Sequence, residues 1–290
     1  MTPAPSFRPG RLRALATRGA THLLLLAVLA LWLTPMAGLL VASFRPADVV
    51  ATTGWWTAFS TPLRFTLENY SHVLAQGDLA RAFGNSLAIT LPATVMPILM
   101  AAFAAYAFAW MRFPGQGALF LAIAGFQVVP LQVTLIPVLK LFIALHLQGS
   151  FAAVWIAHTA YALPLSIYLL RNYMGRLPGE MLEAAAMEGA NHAQIFFRIV
   201  LPTCAPALAS IAIFQFMWIW NDLLVALIFV GSSPDVAPVT VVMGSMVNSQ
   251  GGDWEYLTAA ALVAMLLPLA VFFSLQRYFV KGIVAGSVKE

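Results

Sequence analysis

The sequence predicts an all-α membrane protein with six spanning helices. Three observations carry that reading. Only 9% of the 290 residues are charged and 61% are hydrophobic, against roughly 25% and 45–50% in an ordinary soluble domain. The charge-free stretches 19–44, 82–111, 113–139, 141–170, 199–221 and 256–276 hold 26, 30, 27, 30, 23 and 21 residues, and no other reaches 20. A helix needs about 20 mainly apolar residues to cross the hydrocarbon layer. These stretches are apolar on every side, whereas membrane strands are segments of about 10 residues with alternating polarity. In lipid only a helix bonds its backbone groups within its own segment. The composition excludes a soluble enzyme, a disordered chain and a nucleic-acid-binding protein.

The first span is read at 22–44. Four arginines precede it, as in a signal peptide, but the apolar run continues through Leu39, Leu40 and Val41 to Phe44, which is long for a cleaved segment. Residues 1–20 are then an N-terminal tail. Residues 45–81 follow as a segment between spans, with Trp55, Trp56 and Tyr70 suited to headgroup depth. Spans two to four are read at 85–110, 118–137 and 151–170. Lys140 can snorkel from an interfacial turn of helix at 138–147, closed by Gly149. Span five is read at 203–230 and span six at 257–279, with 281–290 as a tail. Pro92, Pro97, Pro130, Pro137, Pro164, Pro206 and Pro268 lie inside these spans, where each frees a carbonyl and introduces a kink.

Charge signs orient the spans. With the N-terminus inside, eleven of the fifteen Lys and Arg residues fall on inner segments, and only Arg45, Arg64, Arg81 and Lys140 lie outside. Positive charge favours the cytoplasmic side, so both termini are expected there. The net charge of +4 then needs no nucleic-acid partner. The single cysteine, Cys204, cannot form an internal disulfide and reads as a small buried residue.

The longest polar stretch between spans, 171–202, reads RNYMGRLPGEMLEAAAMEGANHAQIFFRIVLP. Pro178 suits the first turn of a helix, and Glu180 and Glu183 favour its positive end. Ala184, Ala185 and Ala186 are strong helix formers. Gly189 can end the helix in a left-handed conformation, and Asn191 can cap a second one. A short Ala-faced helix between spans can seat against another protein. It can equally be a plain connector.

Glu183-Ala184-Ala185, Gly189, Ile199 and Leu201-Pro202, at these spacings between spans four and five, resemble the EAA signature of ABC importer permeases. FTLENY at 65–70, NSL at 85–87, AAYAFAWMRFPG at 104–115, WND at 220–222 and SLQRYFVKGIVAGSVKE at 274–290 look like the carbohydrate-importer branch, and within it the maltose-type second permease. Glu188 stands where Asp is frequent, and the charge is kept. The resemblance implies the type I ABC importer fold in a bacterial inner membrane. It implies that the loop is a coupling helix seated in a cleft of a cytoplasmic ATPase, with Glu183 paired to a basic residue there and Gly189 setting the turn. The tail, including Gly282, Gly286 and Lys289, would reach between two ATPase copies. A second permease subunit and an extracytoplasmic binding protein complete the implied partners. This chain would bind no metal or cofactor, with ATP and Mg held by the ATPase.

Two other classes compete with this reading. An intramembrane enzyme lacks support: G-x-S-x-G, H-E-x-x-H and a phosphate loop are all absent from the sequence. A stand-alone channel or secondary carrier would rest on Asp222, the one acidic residue well inside an apolar run. If a helix starts near Pro202, Asp222 lies about 30 Å along it at 1.5 Å per residue. That carboxylate reads equally as a structural partner for a backbone amide. Tyr161, Gln215, Trp218, Trp220, Asn221 and Asp222 are candidate substrate-pathway residues by type, since sugars meet aromatic faces and hydroxyl-matching polar groups. Ordinary packing accounts for each of them as well. GWW at 54–56 and GGDWEYLTAAA at 251–261 look closest to permeases for α-glucosides or related sugars.

Overall fold

Membrane-length helices do form where charge is scarce. The computed structural model describes residues 9–60, 63–75, 77–248 and 254–287, with side chains for 18–60, 63–75, 78–247 and 254–276. The order is α1 (Pro9–Ser43), α2 (Ala47–Thr52), a 3₁₀ turn (Trp55–Phe59), α3 (Glu68–Ala75), α4 (Gly77–Trp110), α5 (Gln116–Gly125), α6 (Leu131–Ala144) and α7 (Phe151–Met174). Then come α8 (Gly179–Met187), α9 (His192–Ile195), α10 (Leu201–Thr203), α11 (Ala205–Trp220), α12 (Leu224–Phe229), α13 (Val239–Asn248) and α14 (Trp254–Ser287). No strand occurs among the described residues.

Four continuous stretches of the described residues are long and apolar enough to cross a membrane: Arg18–Ser43, Asp78–Trp110, Phe151–Met174 and Trp254–Gln276. Two further helix pairs are apolar and long enough only when taken together, and each bends sharply between its halves: Gln116–Val128 with Leu131–Ala144 at 102° and His192–Thr203 with Ala205–Trp220 at 70°. Continuous third and fifth spans at 118–137 and 203–230 are therefore corrected. At the first break, Val129 adopts φ −75° and ψ 117°, the extended conformation that a following proline imposes. The interfacial turn expected at 138–147 is the second half of α6, with Lys140 inside that helix and Gly149 donating its N–H to the Phe229 carbonyl at 2.8 Å. Span five stops at Trp220. Helix α1 begins at Pro9 and α14 runs to Ser287, so helix extends into both segments read as tails, 1–20 and 281–290.

The chain divides into two compact units, the first comprising residues up to His72 with the start of α14 to Leu262, the second the rest. In the first, the end of α1 is closed by FTLENY. Asn69 Nδ2 donates to the carbonyls of Ser43 at 2.8 Å and Arg45 at 2.9 Å, and the Thr66 N–H donates to Phe44 at 2.7 Å. These bonds satisfy carbonyls that a helix end leaves free. Arg45 is buried and donates to the Gly54 carbonyl, Thr53 Oγ1 and Thr57 Oγ1 at 2.8, 2.7 and 3.0 Å. Tyr70 and Trp55 are half-buried and pack on the end of α1. The Tyr70 hydroxyl meets Ser43 Oγ at 2.7 Å, and the Trp55 indole lies where a Cβ on Gly38 would come within 2.9 Å of it.

In the second unit α4 and α7 run parallel, tied near both ends. Trp155 Nε1 donates to the Ala88 carbonyl at 2.9 Å and Trp110 Nε1 to the Met174 carbonyl at 3.1 Å. Buried Ala101, Ala102 and Ala105 pack in one core with Leu170 and Met174; small residues of this kind let membrane helices approach closely. The NSL motif ties α4 to the start of α13: Asn85 Nδ2 donates to the carbonyls of Asp235 and Ala237, both at 3.1 Å, and Ser86 Oγ accepts the Val239 N–H at 2.9 Å.

Candidate functional site

The 171–202 loop is a built structure. Helix α8 follows Pro178, which takes φ −59° and ψ 120° just ahead of the first turn. Gly189 has φ +88°, and around it the Ala190 N–H donates to the Ala185 carbonyl and the Gly189 N–H to Ala186, both at 3.0 Å. Paired closing bonds about a left-handed glycine satisfy helix-end carbonyls. Asn191 opens α9 with a capping box: its Oδ1 accepts the Gln194 N–H, and its own N–H donates to Gln194 Oε1, each at 2.9 Å. A π-helical turn follows at Phe196–Val200, just before Pro202, which offers no N–H to the turn behind it.

The loop stands on a fixed floor. Leu182, Ile195, Phe196 and Val200 are buried in one core with Tyr106 and Phe108 of α4. The Tyr106 hydroxyl meets His192 Nδ1 at 3.0 Å, and the Phe103 and Phe196 rings stack at 4.8 Å. The AAYAFAWMRFPG segment is thus the platform under the loop. Its four apolar anchors escaped the sequence reading; their signal is the apolar set at 182, 195, 196 and 200 within a polar stretch. With these residues turned inward, Glu183, Ala184, Ala186, Met187, Glu188 and Gly189 are exposed, Met187 to 85%. Ala185, Ile199 and Leu201 are half-buried and Pro202 is exposed. Of the tail positions, Gly282 and Gly286 lie in the backbone of α14, and Lys289 lies outside the described residues.

The six pathway candidates separate. Tyr161, Gln215 and Trp218 line one cavity of about 930 Å³ between the α5–α6 break, α7 and α11. Tyr161 is oriented by Thr134, whose hydroxyl lies 3.0 Å from the phenol, and the buried Gln215 Nε2 has no protein partner. Gln127, Thr134 and Ser166 add polar groups to the lining that sequence reasoning missed, because the break that presents Gln127 was not foreseen.

Trp220, Asn221 and Asp222 do not line that cavity. Trp220 is buried, donates its indole N–H to the Ala264 carbonyl at 3.2 Å and meets Phe83 edge-on at 5.3 Å. Asn221 closes its own helix by donating to Met217 at 2.7 Å. Asp222 stands in the break before α12 rather than inside a helix. Its carboxylate accepts the N–H groups of Val225 at 3.3 Å and Ala226 at 2.9 Å, and its carbonyl accepts from Thr240 Oγ1 at 2.6 Å. His158 Nε2, fully buried, lies 3.6 Å from Asp222 Oδ2. Asp222 thus serves as a helix cap and a brace between segments.

Residues 36–285 match the family described as binding-protein-dependent transport system inner membrane component. The chain belongs to this family. It is similar to the osmoprotective compounds uptake permease protein GgtD of Synechocystis sp., 54% identical over 272 residues that cover 93% of this chain and 91% of that protein. It is 38% identical to the alpha-glucoside transport system permease protein AglG of Rhizobium meliloti, covering 93% of this chain and 97% of that one. A crystal structure of a bacterial ABC transporter that imports the acidic polysaccharide alginate superposes with a TM-score of 0.76 over 95% of this chain and all of that one, at 21% identity. The fold is that of a type I importer permease, and the protein is a multi-pass inner-membrane permease.

Proposed function

We propose that this permease is one of two membrane subunits of an ATP-driven importer. It passes a carbohydrate from an extracytoplasmic binding protein to the cytoplasm by alternating access. The energy comes from two copies of a cytoplasmic ATPase that hold ATP and Mg; this chain binds neither. The reading is carried by the loop geometry: an alanine-surfaced helix flanked by Glu183 and Glu188, presented outward from a rigid apolar floor. Small side chains let a partner surface approach closely, and the floor transmits a push on α8 to α4 and α7. Glu183, Ala184, Ala185, Glu188 and Gly189 form the docking surface, and Ile199, Leu201 and Pro202 set the return into the membrane. Gly282, Gly286 and Lys289 extend toward the ATPase pair. Both termini face the cytoplasm on the charge argument.

The substrate reading combines two kinds of support. The names of the relatives point to α-glucosides and to osmoprotective compounds. The cavity offers Tyr161 and Trp218 faces with Gln127, Thr134 and Gln215 beside them, a set that suits an uncharged, hydroxyl-rich solute. We assign a small α-glucoside or related sugar. The alternative of a stand-alone carrier needed a working carboxylate at Asp222, and that group is engaged by two backbone amides.

The docking role is tested by Glu183→Lys. The substitution should release the ATPase subunit during purification and abolish substrate-stimulated hydrolysis. Retention of the ATPase with normal stimulation would contradict it.

A further inference from the structure

A second cavity, about 600 Å³, opens at the loop end of α4 and α7, lined by Arg112, Arg171, Glu183, Gln116, Trp110 and Phe120 among others. Of these groups only Glu183 belongs to the proposed docking surface. Arg112 lies two residues beyond α4, and Arg171 lies three residues from the end of α7. The Trp110–Met174 hydrogen bond holds those two ends level at 3.1 Å. The cavity therefore lies where two spans leave the apolar layer together, at headgroup depth. Trp110 and Phe120 are the half-exposed aromatic residues such a depth selects.

The chemistry of the lining selects the ligand. The Arg171 guanidinium lies 5.0 Å over the Phe120 ring, and a single side-chain bond at 3.3 Å to Asn172 engages it. A guanidinium carries five N–H donors in a fork that matches phosphate oxygens. Gln116 already donates to the Phe108 carbonyl at 2.8 Å, so the guanidiniums are the donors offered. Two arginines and one carboxylate leave a net charge of +1 in the lining. A monoanionic phosphodiester cancels that charge, whereas dianionic free phosphate overshoots it. The Glu183 carboxylate is an acceptor for a hydroxyl on the far side of the headgroup. Beside the mouth, α5 turns Leu119 (50% exposed) and Leu121 (71%) outward, an apolar surface along which acyl chains can lie.

We propose that the Arg112–Arg171–Glu183 cavity binds the phosphodiester headgroup of an anionic, hydroxyl-bearing phospholipid such as phosphatidylglycerol. The lipid braces the floor beside α8. This assignment stands on the level span ends and on the charge balance of this chain by itself, with Glu183 counted in the lining.

Native mass spectrometry of the full chain, exchanged into phosphatidylglycerol or phosphatidylcholine and then delipidated, tests it. The wild type should retain phosphatidylglycerol and shed phosphatidylcholine. Arg112→Gln combined with Arg171→Gln should cut that retention about tenfold, the size expected for losing a charge-assisted bond of about 1.4 kcal/mol. Arg198→Gln, an equal charge change on an exposed residue outside the cavity, should leave retention unchanged. If loss of the Phe120 contact unfolds the double variant, Arg112→Gln alone should still lower retention several-fold. Equal retention of the two lipids overturns the proposal, as does undiminished retention in the arginine variants. Displacement of the lipid by millimolar inorganic phosphate would make the site a free-anion site and overturn the lipid assignment.

Discussion

Gly189 and Asn191 shape the turn between α8 and α9, the first by its left-handed backbone and the second by its capping box. At φ +88° an alanine Cβ crowds the following carbonyl, at a cost of roughly 1–2 kcal/mol. Gly189→Ala should therefore weaken coupling while the spans remain folded, read as lower substrate-stimulated ATP hydrolysis with unchanged thermal unfolding of the membrane domain. Unchanged stimulation would show that the turn has no part in coupling. Asn191→Ala removes a cap worth about 1 kcal/mol, which corresponds to roughly fivefold faster amide exchange in residues 192–195. Both positions were legible in the sequence, because left-handed glycine and Asx caps are local chemistry. Asp222 was only half legible. Hydropathy carries the apolar run from 216 to 230 through as one helix, and only the Asn221-Asp222 pair hints at the break. Once the break exists, a carboxylate beside the free amides of Val225 and Ala226 is a cap.

At the scale of elements, composition located the membrane but could not tell a kink from a break. Pro92 and Pro97 lie inside continuous α4, Pro164 inside α7 and Pro268 inside α14, yet at Pro130 the chain turns through 102°. The difference is tertiary: the half-helices around Pro130 wall the 930 Å³ cavity together with α7 and α11. Tyr161, Gln215 and Trp218 were readable as candidates by residue type alone. Their assembly with Gln127 and Thr134 depends on the bend. Trp218→Ala should raise the half-saturating sugar concentration about two- to thirteenfold, the range for losing an aromatic contact worth roughly 0.5–1.5 kcal/mol, with ATPase association unchanged. Unaltered saturation would remove Trp218 from the pathway. Trp220→Ala, by contrast, should lower thermal stability, since that ring is buried against Phe83 and Phe216 and large-to-small changes in such cores cost about 3–5 kcal/mol.

In the whole molecule, orientation and energy source are tied together by the placement of charge. Few charges remain in the chain, and the cluster from Arg171 to Arg198 around three glutamates falls on the loop that turns outward from the α4–α7 floor. In a variant with Cys204 replaced by Ser, Glu188→Cys should react with an impermeant maleimide only from the cytoplasmic side, and Trp56→Cys only from the opposite side. The reverse pattern would invert the topology and separate the loop from any cytoplasmic ATPase. On the proposed function, ATP hydrolysis on a partner drives solute through this chain by way of α8. Uptake of a radiolabelled α-glucoside into proteoliposomes tests it most directly. Uptake should require the second permease subunit, the binding protein, the ATPase and ATP, and Glu183→Lys should abolish it while the binding protein still holds the sugar. Uptake by vesicles holding this chain alone, or ATP-driven uptake undiminished by Glu183→Lys, would contradict the account.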